Sequence, residues 1–207
     1  MNTIDTERLL LEPLGEARLE EYVALTADPQ AMRFWSPLGT FSREQAEERF
    51  ERALARTRLL GFGRRWIVLK ETGAGIGFTE TQLLGEGYEV SAEDVELGWV
   101  LTPPEWGKGY ATEAGRAVRD EAFERLGLDS VIALHHPGNP ASGRVMEKLG
   151  MSFERDGVDP LGPYRLYRLR RERWEELRSS PVATNLLPTA SVARKPAPMG
   201  VESVSND

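Results

Sequence analysis

The chain has 207 residues, no cysteine and two histidines, His135 and His136, which are adjacent. Disulfides, thiolate metal sites and a cysteine nucleophile are therefore excluded, and a histidine-rich metal site is not expected. With 33 acidic against 26 basic side chains the formal net charge is −7, the wrong sign for a general nucleic-acid binder but compatible with a cationic small substrate. At 40% hydrophobic and 29% charged residues the composition is that of one globular domain. No stretch approaches the ~20 apolar residues of a membrane span. The N-terminus, MNTIDTERLLLEPL, carries early acids and no long apolar run, so it does not read as a signal peptide, and a cytoplasmic location is expected.

In chain order, Arg8–Glu12 reads as a short strand, and Glu16–Thr26 as a helix with Leu19, Tyr22, Val23 and Thr26 at i, i+3, i+4, i+7. Ser42-x-x-Gln45 is a capping box opening a second helix whose inner face is Ala46, Phe50, Ala53, Leu54 and Thr57. Arg65–Lys70 and Gly75–Gln82 are strands joined by a turn at 71–74, and Val95–Leu101 is another. Ala111–Arg125 is a helix with Ala114, Val118 and Ala122 inward, and Ser130–Leu134 is a strand. Asn139 followed by Pro140 starts a helix that stops at Gly150. Met151–Arg155 and Tyr164–Leu169 are the last strands, and Arg171–Arg178 is a short charged helix closing the domain. The pattern predicts a mixed α/β sheet of about seven strands flanked by about four helices over residues 1–178. Residues 179–207, with four prolines and no aromatics, read as a mobile tail.

The informative stretch runs from Glu96 to Phe153. Trp106-Gly-Lys-Gly-Tyr-Ala111 links a strand to a helix start, where glycines allow close backbone approach and unpaired amides favour a phosphate or pyrophosphate. Gly-x-Gly also suits a plain strand-to-helix turn. It lacks the third glycine of a dinucleotide fingerprint and the Lys-Ser/Thr of a P-loop. A second strand-to-helix junction, Asn139-Pro-Ala-Ser142, would lie at the same sheet edge, where α/β sheets usually bind ligands.

These motifs resemble the GNAT superfamily of N-acetyltransferases, and most closely its RimJ/RimL-like ribosomal-protein branch. The likeness covers roughly residues 4–170: Thr6-Glu-Arg-Leu-Leu-Leu11, Trp66-Ile-Val68, Gly75-Ile-Gly-Phe78, Glu96-Leu-Gly-Trp99, WGKGYATEA at 106–114 and the N-x-x-S…EKLGM run at 139–151. The resemblance implies a V-shaped cleft between the fourth and fifth strands and acetyl-CoA as acyl donor, with no metal. The acceptor would be a small-molecule amine or a peptide N-terminus, and a homodimer is compatible with the family. Pantetheine would pair with Trp99, Val100 and Leu101, and the pyrophosphate would sit on amides of Gly107, Lys108, Gly109, Tyr110, Ala111 and Thr112. Trp106 stands where the usual loop has Gln or Arg, which leaves the binding to backbone, with charge from Lys108. Asn139 and Ser142 would meet the pantetheine arm.

Acyl transfer to an amine needs a proton acceptor, an oxyanion donor and a proton for the leaving thiolate. Glu96 is the first candidate base, with Glu93 and Asp94 as rivals; each also reads as an ordinary solvent-facing strand carboxylate. A backbone N–H near Val100 is the family-like oxyanion donor. Ser142, or Tyr164 or Tyr167, is the candidate acid, although Ser142 also suits a local helix-start role. His135 is a candidate base or a packing residue. Phe34, Trp35, Phe62 and Trp66 are candidate pocket walls or core aromatics. The run 156–163, with Asp156 and Asp159, reads as a loop over the acceptor. A non-catalytic acyl-CoA-binding module and another class of nucleotide-binding domain are the competing readings.

Overall fold

The structure is a computed structural model that describes residues 1–36, 39–84, 94–159 and 162–179. In chain order the elements are β1 (Ile4–Asp5), β2 (Leu9–Pro13), α1 (Leu19–Ala27), α2 (Pro29–Met32), α3 (Arg43–Leu60), β3 (Arg64–Leu69), β4 (Gly75–Leu83) and β5 (Val95–Leu101). There follow α4 (Tyr110–Glu124), β6 (Ser130–His135), α5 (Pro140–Lys148), β7 (Ser152–Asp159), β8 (Gly162–Arg170) and α6 (Arg171–Ser179). The strands form one mixed sheet in the order β1-β2-β3-β4-β5-β6-β8-β7. It holds eight strands rather than about seven because the two-residue β1, too short to show a period, pairs antiparallel with β2. The expected helix from Glu16 begins as a 3-10 turn at Glu16–Arg18, and α2, a single turn capped by Asp28 with Pro29 at its first position, had no visible period. The expected tail lies outside the described residues apart from Ser179, the last residue of α6.

Alternation along β5 assigns the two faces. Leu97 and Leu101 pack with Ala114, Val118 and Ala122 of α4 and Met146 of α5. Val100 packs on the opposite face with Phe78 and Trp66, beneath Tyr22 of α1 and Phe50 and Leu54 of α3. Two cores, one on each side of the sheet, thus meet at β5. The Ser42–Gln45 capping box is present, and Gly61 in the left-handed region ends α3.

Helix α4 is pinned to the sheet at both ends. Near its start, Glu113 accepts hydrogen bonds from the Thr6 hydroxyl, the Arg8 amide and Arg8 Nε, each at 2.7 Å. Toward its end, Glu121 receives Arg65 Nη2 at 2.6 Å, and Arg65 is 1% exposed. This carboxylate, with the Asn2 and Leu11 carbonyls that accept from Nη1, offsets the desolvation of the buried guanidinium.

The functional opening follows from strand pairing. β4 and β5 are paired along seven registered positions, from Gly77↔Leu101 to Leu83↔Val95. β5 and β6 run parallel and share only Glu96↔Ile132 among the described residues. Beyond that pair the strands diverge toward their C-terminal ends, leaving a V in the middle of the sheet. The β4 side, by contrast, is tight: Gly77 has φ +143°, and a Cβ there would lie 2.1 Å from the Val100 carbonyl oxygen. Replacing Gly77 with Ala is expected to destabilise the protein by roughly 3 kcal/mol, the upper end of the cost of overpacking. Urea unfolding at constant m-value measures this, and a loss below about 1 kcal/mol would show that β4 and β5 can separate there.

Candidate active site

The loop from β5 to α4 is built to expose backbone amides. Gly107 and Gly109 have φ +76° and +88°, a region that side chains disfavour. Gly109 is the N-cap of the 15-residue α4 and supplies no capping side chain, so the first-turn amides keep their hydrogen-bonding capacity and the helix dipole adds partial positive charge. Trp106, half-exposed, donates its indole N–H to the Leu101 carbonyl at 2.9 Å and ties the loop to the end of β5. Lys108 Nζ lies 3.0 Å from Glu105, which engages part of its charge.

Arg8 organises this loop from beneath. Its Nη1 donates to the Lys108 carbonyl at 3.0 Å, its guanidinium lies 4.5 Å over the Tyr110 ring, and its Nε holds Glu113. Burial pushes the Glu113 carboxyl up, but the Arg8 amide, the Thr6 hydroxyl and the Arg8 guanidinium outweigh it and hold the group below the usual carboxylate range. The Thr6-Glu-Arg start and the Glu of WGKGYATEA, 107 residues apart from Thr6 to Glu113, are therefore one cluster. Sequence reading noted both motifs and missed their contact, since nothing local signals a pair that distant.

Register decides which β5 backbone groups face the opening. Thr102 N–H donates to the Ile76 carbonyl at 2.9 Å, so the even-numbered residues of β5 bond β4 and the odd-numbered ones turn away from it. Trp99 and Leu101 thus direct their main-chain groups to the V, whereas the Val100 amide and carbonyl belong to the β4 ladder. The main-chain donor expected near Val100 is accordingly offered by its neighbours.

On the other side of the opening, Asn139 caps α5 by accepting from the Ser142 amide at 3.3 Å, with Pro140 at the first helical position. Ser142 Oγ makes no hydrogen bond among the described residues and is partly exposed. His135 packs under this helix: a Cβ on Gly143 would lie 3.0 Å from His135 Nε2, and the Tyr167 ring is 5.6 Å away. Its Nδ1 lies 2.9 Å from the His136 carbonyl and so carries the proton, while Nε2 is buried without a partner among the described residues. His135 is thus enclosed beneath the junction rather than presented to the opening.

Glu96 is half-buried and accepts from Gln82 Nε2 at 2.9 Å. Its side chain shares the α1–α3 face with Gly98 and Val100. Ser142, on α5, stands on the opposite face, so the two candidate catalytic residues flank the sheet rather than touch. Asp94 is buried in an ion pair with Arg168, whose guanidinium also holds Glu154 at 2.6 Å. A carboxylate held by a cation is a weak proton acceptor, which argues against Asp94 as base. Glu93 lies outside the described residues. Tyr164 joins Ile132 and Leu84 on the α1–α3 face, whereas Tyr167 packs on the α5 face.

The α1–α3 face also carries a cavity of about 390 Å³, with Trp35, Phe41 and Phe62 in its walls and Arg64, Glu80 and Gln82 contributed by the sheet. Trp35 reaches β5: a Cβ on Gly98 would lie 3.2 Å from its ring. Phe34 stacks on His136, with centroids 5.7 Å apart, and so spans from α2 to the β6–α5 junction. Trp66 is a core residue, 1% exposed, with its N–H on Glu21 at 2.7 Å. The run 156–163, expected as a loop, is instead hairpin: β7 extends to Asp159 and β8 starts at Gly162, with residues 160–161 outside the described set. Cross-strand pairing overrode the turn-rich composition there, and Asp156 is engaged by Arg165 Nε at 3.2 Å.

A split between parallel central strands, facing an uncapped helix N-terminus behind a glycine loop, matches what comparison with known proteins finds. The family profile described as "Acetyltransferase (GNAT) domain" matches residues 8–152, well over half of the chain. The chain belongs to the GNAT acetyltransferase family. It is 29% identical over 153 residues to the uncharacterized N-acetyltransferase YnaD of Bacillus subtilis, covering 73% of this chain and 83% of that one. It is also 29% identical over 192 residues to the FsC-acetyl coenzyme A-N(2)-transacetylase of Aspergillus fumigatus, covering 83% of this chain and 77% of the relative. Among solved structures, the acetyltransferase from Agrobacterium tumefaciens superposes with TM-score 0.70 at 31% identity, over 83% of this chain and 95% of its own. The protein is thus a GNAT-fold acyltransferase with an eight-stranded mixed sheet. No helix among the described residues is long and apolar enough to cross a membrane.

In this GNAT domain the buried imidazole sets a pH dependence. Burial lowers the His135 pKa below its ordinary 6.5, with the His136 carbonyl contact opposing in part. The native state therefore binds fewer protons than the unfolded chain as pH falls through about 6.5, and stability decreases with it. Unfolding free energy is expected to fall between about pH 7 and pH 5, and less steeply in His135→Gln. Equal slopes in the two proteins would show that His135 is not the responsible group.

Proposed function

We propose that the protein transfers an acetyl group from acetyl-CoA to a primary amine by direct attack within a ternary complex, the acceptor being a protein N-terminus, an amino acid or a small amine. The observation that carries this reading is the V between β5 and β6, with Trp99 and Leu101 backbone on one wall and the Gly107–Thr112 amides at its mouth. When bound, acetyl-CoA supplies an activated acyl carbon: the amine nitrogen bonds to it, the carbon–sulfur bond breaks and the electron pair leaves with sulfur.

This chain's residues supply the rest. Amides of Gly107, Lys108, Gly109, Tyr110, Ala111 and Thr112 bind the pyrophosphate, and Arg8 fixes their loop from below. Trp99 main-chain groups and the Leu101 amide extend the sheet onto the pantetheine amides, as an added strand would, the Leu101 carbonyl being engaged by Trp106. An odd-numbered amide of β5 is the oxyanion donor, because the Val100 amide is committed to β4. Glu96 takes the proton lost by the amine, directly or through one water, and Gln82 orients it. Ser142 Oγ, at the head of α5 on the other face, donates to the departing sulfur, and Asn139 fixes that turn. Donor and acceptor then enter from opposite faces and meet at the apex of the V. The Thr6-Glu-Arg-Leu start together with WGKGYATEA and the N-x-x-S…EKLGM run supports a place in the RimJ/RimL-like branch.

Thiol release from acetyl-CoA over a panel of amino acids, polyamines, aminoglycosides and N-terminal peptides tests this reading. Glu96→Gln and Ser142→Ala are each expected to lower kcat at least about tenfold, roughly 1.4 kcal/mol of barrier. Tight acetyl-CoA binding with no turnover of any amine would make the chain an acyl-CoA-binding module.

A further inference from the structure

The cavity on the α1–α3 face has a charge opposite to that of the protein. Its lining includes Arg49, Arg52, Arg56 and Arg64 but a single acid, Glu80, in a chain of net charge −7. Arg49, Arg52, Ala53, Arg56 and Leu60 recur along one face of α3, so the helix presents a row of guanidiniums to the cavity mouth. These three arginines are poorly neutralised. Arg49 lies 4.2 Å over the Phe41 ring, Arg56 Nη2 donates to the Leu83 carbonyl at 3.0 Å, and Arg52 reaches Glu48 at 3.6 Å with both side chains mostly exposed. An exposed pair of that kind contributes little.

The interior carries the complementary features. Arg64 Nε donates to Glu80 Oε2 at 2.8 Å, its Nη2 donates to the same oxygen, and its Nη1 donates to Tyr22 Oη at 3.1 Å. Glu80 Oε1 receives no hydrogen bond among the described residues. Thr57, 8% exposed, lines the cavity with a buried hydroxyl that has no partner among the described residues, which native proteins rarely tolerate without a ligand or water to satisfy it. Gln82 lines the cavity and also donates to Glu96, so one hydrogen bond links the cavity wall to that carboxylate.

We propose that this cavity receives the acyl acceptor and selects a small amine that carries a carboxylate, an amino acid-like zwitterion rather than a polycation. The carboxylate lies among Arg49, Arg52 and Arg56, whose planar donors suit it. The amine points inward to Glu80 and Glu96. This deepens the acetyltransferase reading and rests on it for the direction of the amine, but the anion site itself stands on the arginine row and the unpaired Thr57 hydroxyl.

The test compares each of the common amino acids with its carboxamide and its decarboxylated amine, alongside spermidine, in the thiol-release assay. The wild type is set against a triple variant, Arg49→Gln, Arg52→Gln and Arg56→Gln. All three sites are exposed and glutamine keeps helix propensity, and a thermal melt checks folding. The wild type is expected to prefer at least one carboxylate-bearing amine over its carboxamide by more than tenfold in kcat/KM, mainly through KM. The triple variant should compress that preference to under threefold, and Arg52→Lys alone should retain most of it. Equal use of carboxamides, a preference for spermidine, or a preference unchanged in the variant would overturn the proposal and leave the acetyltransferase reading standing. Calorimetric titration of the same amino acids into CoA-loaded protein separates the two readings if no amine turns over. Binding lost in the variant keeps the anion site and removes the acyl-transfer reading, whereas no binding to the wild type removes the anion site.

Discussion

The separation of β5 from β6 is the constraint on which the other features depend. Two parallel strands that pair at Glu96↔Ile132 and then part leave main-chain donors and acceptors inside a sheet, away from their usual partners. Such groups are costly unless something bonds them. The split persists because each wall is anchored to its own neighbour: β5 to β4 along seven positions, and β6 to β8 along six. Each half is paired antiparallel, and the V is the seam between them.

The seam is useful only if the loop above it is stiff. Gly107 and Gly109 give that loop its path, but glycine also permits many others. Rigidity comes from outside the loop, through Trp106 on the Leu101 carbonyl and Arg8 on the Lys108 carbonyl. Arg8 is itself fixed by Glu113, a carboxylate held in its charged form by three donors. The turn between β1 and β2 is thus tied to the glycine loop although it lies far from it in sequence.

The sheet keeps the two candidate surfaces apart. Helices α4 and α5 with the glycine loop occupy one face, and α1 to α3 with the arginine-rimmed cavity occupy the other. Glu96 and Ser142 lie on different faces for that reason, and only the V connects them. Charge follows the same division: the protein is acidic overall, yet its cavity is basic, because local side-chain placement and not net charge sets the potential a small ligand meets.

The order of strands and helices, the capping boxes and the two strand-to-helix junctions were legible because each depends on neighbours a few residues apart. Ser42 and Gln45, Asn139 and Pro140, and the inward row Ala114, Val118 and Ala122 carry their structure in local spacing. The tight glycine turn into α4 was legible for the same reason. What sequence could not show were relations that only packing creates. Asp94 reads as a free acid but lies against Arg168, 74 residues away, and the stretch expected as an acceptor loop is hairpin because β7 and β8 pair across it. The parity that turns Trp99 and Leu101 to the V and Val100 away is a matter of strand register, and a shift of one residue would reverse it. The arginines of α3 look like an ordinary solvated helix face until Trp35, Phe62 and Glu80 close a cavity around them. Local spacing determined the elements and the glycine loop; tertiary contact between distant residues decided which groups face the opening, because only folding fixes what each charge and each amide has for a partner.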